Sequence, residues 1–173
     1  MQMRNRLYAE IFTVLLLTVV AGGLLVNCFR ENEKDQREEA FFDSAAVEGT
    51  LPGISEQEIQ AELDQIVEEG MLNISIASGI RFEDGDSEGK ANIYNTEANQ
   101  YIFKVAIKLD DTGETVYQSK GIKPGQYISY IRLAKKLDAG EYAATATFTA
   151  YTQDTHQVVG STGAQLTLYV GSV

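Results

Sequence analysis

The chain has 173 residues, with 14 Lys and Arg against 25 Asp and Glu, one His, one Cys and no Trp; that length holds one ordinary domain plus a short extra segment. A net charge of −11 gives a phosphate backbone no basic face to meet. A single Cys excludes an internal disulfide framework or a Cys-built zinc site, and a single His leaves little material for acid–base chemistry, so the composition argues against an enzyme.

Residues 1–10 read as a short cytoplasmic N-terminus. From Ile11 to Phe29 the chain runs 19 residues without a charged side chain, bounded by Glu10 and Arg30. At roughly 1.5 Å per residue, such a run matches the ~30 Å hydrocarbon core of a bilayer, and its backbone satisfies itself there as a helix. The spacing predicts a transmembrane anchor over 11–29. Arg4 and Arg6 precede the run, while the flank from Arg30 to Glu39 is mostly acidic. The positive end stays in the cytoplasm, which places the bulk of the chain outside. Two alternatives stay open: a signal peptide cleaved near Ala21-Gly22-Gly23, and lipidation at Cys28. Leu25-Val26-Asn27-Cys28 looks like a lipobox, with Asn27 where a small residue normally stands.

Residues 30–54 read as an acidic extracellular spacer. Glu31 to Glu69 holds 13 acidic residues against Lys34 and Arg37, whereas the chain from Gly70 onward holds 11 acidic and 9 basic residues. Like charges extend a chain, which suits a stalk. Leu51-Pro52-Gly53 ends it with a turn. Over residues 55–70 a short amphipathic helix is expected: Ser55 and Glu58 form a capping box, Ile59, Leu63, Ile66 and Val67 line one face, and Gly70 stops it. A helix this short needs its apolar stripe covered, by its own domain or by a partner.

Residues 71–173 read as strands. Leu72, Ile74 and Ile76 alternate with polar neighbours, and Tyr101, Phe103, Val105, Ile107 and Leu109 repeat that period over nine residues. Asp110-Asp111-Thr112-Gly113 predicts a hairpin turn into a strand from Thr115 to Lys120. Tyr127 to Leu133 follows. Then come two long alternating runs, with Tyr142, Ala144, Ala146, Phe148 and Ala150 inward on the first. Ala164, Leu166, Leu168 and Val170 are inward on the second, and a turn over Gln153 to Gln157 joins them. About seven strands at this spacing predict a mainly β, antiparallel β-sandwich.

One local motif sharpens the fold. Asp138-Ala139-Gly140-Glu141-Tyr142-Ala143-Ala144 resembles the D-x-G-x-Y-x-C motif of immunoglobulin (Ig) domains, with Asp138, Gly140 and Tyr142 matching and Ala144 in the place of the cysteine. The resemblance implies a tyrosine corner, in which the Tyr142 hydroxyl ties back to the backbone upstream, in a disulfide-free Ig-like or fibronectin-III-like module. The whole layout resembles the small membrane-anchored surface proteins of Gram-positive bacteria. Ile122, Pro124, Gly125, Leu137, Gly140, Tyr142 and Ala144 fit their I-x-P-G…L-x-x-G-x-Y-x-A pattern. That resemblance implies a single-pass bacterial cell-surface protein and supplies no catalytic residue.

Chemistry-bearing signals are few. Phe82 to Gly89 carries alternating carboxylates like the opening of a calcium loop, but Asn95 stands where the closing Glu should fall. His156 reads as a solvated loop residue, Asn73-Ile74-Ser75 is a formal glycosylation sequon inside an expected strand, and Gly160-Ser161-Thr162-Gly163 reads as a bulge or bend. No catalytic, metal or cofactor residue is expected. In an Ig-like arrangement the strand at 100–109 shares a sheet with the last two strands. Its outward face then carries Ile102, Lys104, Ala106, Lys108, Thr145, Thr147, Thr149, Tyr151, Gln165, Thr167 and Tyr169. Lys104, Lys108, Thr147, Tyr151 and Tyr169 are the candidate partner-binding residues, for a protein or cell-envelope partner. The expected function is a non-enzymatic extracytoplasmic binding or structural module. The alternative is an accessory subunit of an envelope assembly such as a conjugation or secretion complex.

Overall fold

A computed structural model describes residues 36–49, 51–53 and 72–171. The anchor expected at 11–29 and the amphipathic helix expected at 55–70 lie outside the described residues. Among the described residues, no helix is long and apolar enough to cross a membrane. The chain divides after Ala40 into two compact units. Of the first, residues 36–40 are described, and they are helical.

The second unit is mainly β, with two sheets arranged as a sandwich. Nine strands are described: β1 (Val47–Glu48), β2 (Ile74–Ser75), β3 (Gly79–Phe82), β4 (Glu88–Asn95), β5 (Ile102–Leu109), β6 (Thr115–Gln118), β7 (Gln126–Arg132), β8 (Gly140–Tyr151) and β9 (Val158–Val170). One sheet has the order β1-β7-β4-β2 and the other β3-β9-β8-β5-β6. All pairs are antiparallel except β3 with β9, where Gly79 to Phe82 run parallel to Thr167 to Val170. The chain therefore changes sheets between β2 and β3.

The period-two runs do what their spacing dictates. Val105, Ile107, Ala144, Ala146, Phe148, Ala150 and Leu168 are fully buried, and the threonines between the alanines stand half-exposed on the outer side. The Asp110–Gly113 turn closes through Gly113 N–H donating to the Leu109 carbonyl at 2.8 Å, with Gly113 at φ 69°.

Three strands were not expected. β3 and the start of β4 lie where the sequence suggests a calcium loop. β4 carries a bulge between Lys90 and Ile93, with Asn92 at φ 50°; Gly89, Ala91, Ile93 and Asn95 are buried at alternate positions, and Tyr94 is buried as well. Gly89 in β4 is needed for close approach: a Cβ there would lie 2.6 Å from the Phe82 ring and 2.7 Å from the Ile80 side chain. β1 falls inside the segment read as a spacer. Val47 and Glu48 pair with Tyr127 and Gln126, and Leu51 is buried. Residues 41–49 and Leu51 are thus part of the domain rather than free stalk.

Among the described residues four polar residues are buried, and two of them, Asn95 and Asn99, tie the first sheet to its surroundings. Asn95 Nδ2 donates to the carbonyls of Tyr101 and Ile122, both at 2.9 Å. Its Oδ1 accepts from Asn99 Nδ2 at 2.8 Å. Asn99 in turn bridges the backbone of Asn73, accepting from its N–H at 3.0 Å and donating to its carbonyl at 2.7 Å. Ser119 Oγ accepts from Val105 N–H at 2.8 Å, and Thr96 is the fourth buried polar residue. Such networks are worth more than isolated pairs because no water competes.

Candidate functional site

The register of the five-stranded sheet sets out its outer face row by row. Lys104 stands opposite Thr149, and Thr149 opposite Ser161; Ala106, Thr147 and Gly163 form the next row, and Lys108, Thr145 and Gln165 the one after. Lys104, Thr147 and Lys108 therefore share one patch, with the two lysines four residues apart, or roughly 13 Å. Lys108 is exposed and has no ion-pair partner among the described residues, whereas Arg132, Lys135 and Lys136 pair with Glu88, Glu114 and Asp86.

Of the remaining candidates, Tyr151 adjoins Lys104 and Tyr169 lies elsewhere. Tyr169 is opposite Glu141, ten positions along β8 from Tyr151 and roughly 33 Å away, with the Arg81 guanidinium 4.4 Å from its ring centroid. The face is also less uniformly basic than the sequence suggested. Glu141 belongs to it, and Asp110 Oδ1 accepts from the Thr145 hydroxyl at 2.7 Å.

At the other end the face is covered. Ile102, expected outward and exposed, is 1 % accessible and stands opposite Tyr151, at whose ring Phe41 packs edge-on at 5.6 Å. Phe41 stacks on His156 at 4.0 Å with an interplanar angle of 6°, and Phe42 meets the same imidazole edge-on at 5.7 Å. Lys104 Nζ lies 3.6 Å from the Phe41 centroid and 5.2 Å from that of Tyr151. Burial, and then the Lys120 charge, hold its pKa below the ordinary lysine value. Lys123 Nζ lies 4.2 Å from the Phe42 centroid. Cation–π contacts of this kind favour a lysine that has lost part of its water.

Backbone bonds fix this cluster in place. Gly121 N–H donates to the Phe41 carbonyl at 2.7 Å, and Asp43 N–H donates to the Gly121 carbonyl at 2.8 Å. Asp43 Oδ2 accepts from Lys120 N–H at 2.7 Å. A Cβ on Gly121 would come within 3.0 Å of the Phe41 ring and carbonyl, so the glycine admits Phe41. His156, read as solvated, is half-buried at φ 53° in the β8–β9 turn. Tyr117, in the same sheet, has its phenol pKa raised by burial and then by the Asp43 carboxylate.

The Tyr142 hydroxyl donates to the Asp138 carbonyl at 3.0 Å, and Gly140 lies against its ring at ordinary contact distance. In the 82–89 stretch Asp84 is committed to the turn and Asp86 to an ion pair. Asp84 Oδ1 accepts from the N–H of Asp86 and of Ser87, both at 2.8 Å, and Asp86 pairs with Lys136. Among the described residues, no three His, Cys, Asp or Glu side chains converge as a metal site would need. Asn73 Nδ2 is buried, which leaves the sequon's amide enclosed.

No protein-family model matches the chain, and no curated protein is a significant match. Among solved structures, CopC from Methylosinus trichosporium OB3b is similar over 57 % of this chain and 94 % of its own, at 14 % identity and a TM-score of 0.33. A likeness at that level carries no function across.

Proposed function

We propose that this chain is a non-enzymatic, membrane-anchored extracytoplasmic binding module, its Ig-like sandwich held outside the cytoplasmic membrane by a helix at 11–29. The strand order supports the Ig-like reading. β2, β4 and β7 take the places of strands A, B and E, β3, β9, β8, β5 and β6 those of A′, G, F, C and C′, and the Tyr142 corner opens strand F. Residues 1–35 support the membrane reading through their uncharged run and the arginines before it.

The observation that carries the binding role is Lys108, exposed and without an ion-pair partner among the described residues, on a threonine-rich sheet face of a chain with net charge −11. The partner is a protein or envelope component with an acidic or polar surface. Thr145 and Thr147 lend hydrogen-bonding groups beside the cation. Photo-crosslinking in intact cells tests this, with the reactive residue at Thr147 or, as control, at Tyr130 on the other sheet. Adducts are expected from position 147 and should be lost with Lys108→Glu. Equal labelling from 147 and 130, or labelling indifferent to Lys108→Glu, overturns the binding role. Protease added to intact cells tests the topology separately: the domain should be digested, and protection until lysis overturns the extracytoplasmic placement.

A further inference from the structure

β9 is paired along its whole length with β8, but on its other side β3 covers only Thr167 to Val170. Thr167 N–H donates across that side to the Ser78 carbonyl at 2.9 Å. By the alternation of an antiparallel ladder, the N–H and C=O groups of Gln165, Gly163 and Ser161 point the same way. Among the described residues none of them meets a strand. The uncovered run ends at the bulge opposite Tyr151, so it covers residues 160–166 and is centred on Gly163.

Natural sheets blunt such edges with lysine, proline or an inward charge. This edge has none of these. From Val158 to Leu166 there is no charged residue and no proline, and Val158 and Val159 are exposed. Among the described residues, nothing lies within 4 Å of the place a Cβ on Gly160 would take. Beside the edge is an open cleft of about 330 Å³, lined by Leu72, Tyr101, Val159 and residues 160–162.

We propose that two copies of this chain pair edge to edge through β9, antiparallel about Gly163. The edge is self-complementary in that register: Gly163 meets Gly163 of the second copy on the two-fold axis, and Ser161 meets its Gln165. Each of these pairs can exchange both backbone hydrogen bonds. Charge admits a second copy: from Gly70 onward the chain is nearly balanced, with 11 acidic and 9 basic residues, and this strand carries none of them, so two copies approach along it without like-charge repulsion. Gly160, Ser161, Gly163 and Ala164 present no bulk at the seam. The inference does not rest on the membrane anchor or on the binding face proposed above.

The full chain in detergent, followed by light scattering across a dilution series, tests it. Wild type should form dimers that dissociate on dilution. Ser161→Lys with Gln165→Lys places like charges opposite each other twice in the proposed register and should weaken dimerisation about tenfold. Ser161→Lys with Gln165→Glu places opposite charges there and should restore it. Both positions are exposed and roughly 13 Å apart within one copy, so a folding defect would not produce this pattern of loss and rescue. A wild-type chain that is monomeric throughout overturns the proposal and leaves the edge to a foreign strand. A dimer indifferent to the charges, or equally weakened by both pairs, overturns it as well, by placing the contact elsewhere.

Discussion

The two sheets of the sandwich are built by different means. In the five-stranded sheet, β5, β8 and β9 run eight, twelve and thirteen residues, and their burial alternates except at the first residues of β5 and β9. Their cohesion comes from buried Val105, Ile107, Phe148 and Leu168 and from alanines that let the strands of both sheets approach. The four-stranded sheet has two strands of only two residues and a bulge in β4. It is tied to its surroundings by amide side chains, with Asn95 and Asn99 reaching β2, Tyr101 and Ile122. Apolar packing is spread over many contacts, whereas a buried amide network concentrates its contribution in a few bonds. The two sheets should therefore fail in different ways.

The largest effect should come from truncating the apolar sheet. Phe148 is fully buried and packs edge-on against Phe103 at 6.0 Å. Phe148→Ala should cost about 3–5 kcal/mol, the usual range for a buried phenylalanine, read as a lowered urea midpoint. The chain has no Trp, so tyrosine fluorescence is the probe. A loss below about 1 kcal/mol would mean that the sheet relaxes around the cavity, and would remove the contrast with the polar side.

Asn95→Ala should come next, at about 2–3 kcal/mol. It removes the side-chain donor from the Tyr101 carbonyl, while the Ile122 carbonyl keeps the Phe103 N–H at 3.0 Å; an orphaned acceptor in an enclosed site costs roughly 1–3 kcal/mol before relaxation, and the bond from Asn99 is lost as well. The effect should also be local. Asn99 would lose the partner that orients it, so hydrogen exchange should quicken at the Asn73 amide, which donates to Asn99 Oδ1. The amides of β8 should keep their protection. Uniform loss across both sheets would show that the network is only one more part of a single core.

The same contrast explains what could be read in the sequence. Alternation revealed β5, β8 and β9 and the row of Lys104, Thr147 and Lys108, because a regular strand writes its burial pattern directly into residue order. β4 was illegible because, of its alternating buried positions Gly89, Ala91, Ile93 and Asn95, only Ile93 is a large apolar residue, and the buried Tyr94 falls outside the period. Asn95 and Asn99 look like turn residues until the strands they bridge are known. The covering of Lys104 and Ile102 was hidden for another reason: Phe41 and His156 lie 115 positions apart, and no local pattern links them. The acidic composition of residues 30–54 suggested a uniform stalk, yet Phe41, Phe42 and Leu51 within it are apolar, and those side chains mark where the chain rejoins the domain.

The smallest effect should come from the corner. Tyr142 and Asn95 both donate to backbone carbonyls at about the same length, 3.0 Å against 2.9 Å, so they isolate burial as the variable. The Asp138 carbonyl sits at an exposed position, and water takes the place of the lost hydroxyl there. Tyr142→Phe keeps the ring against Gly140 and should cost about 1 kcal/mol, the net value of one hydrogen bond exchanged with water. The urea midpoint should fall slightly with an unchanged slope. A cost equal to that of Asn95→Ala would mean that the corner is itself a buried anchor of the β7–β8 connection. The five-stranded sheet would then depend on a polar clasp as much as the four-stranded one does. No change at all would mean that the ring, through its packing on Gly140, holds the corner without its hydroxyl.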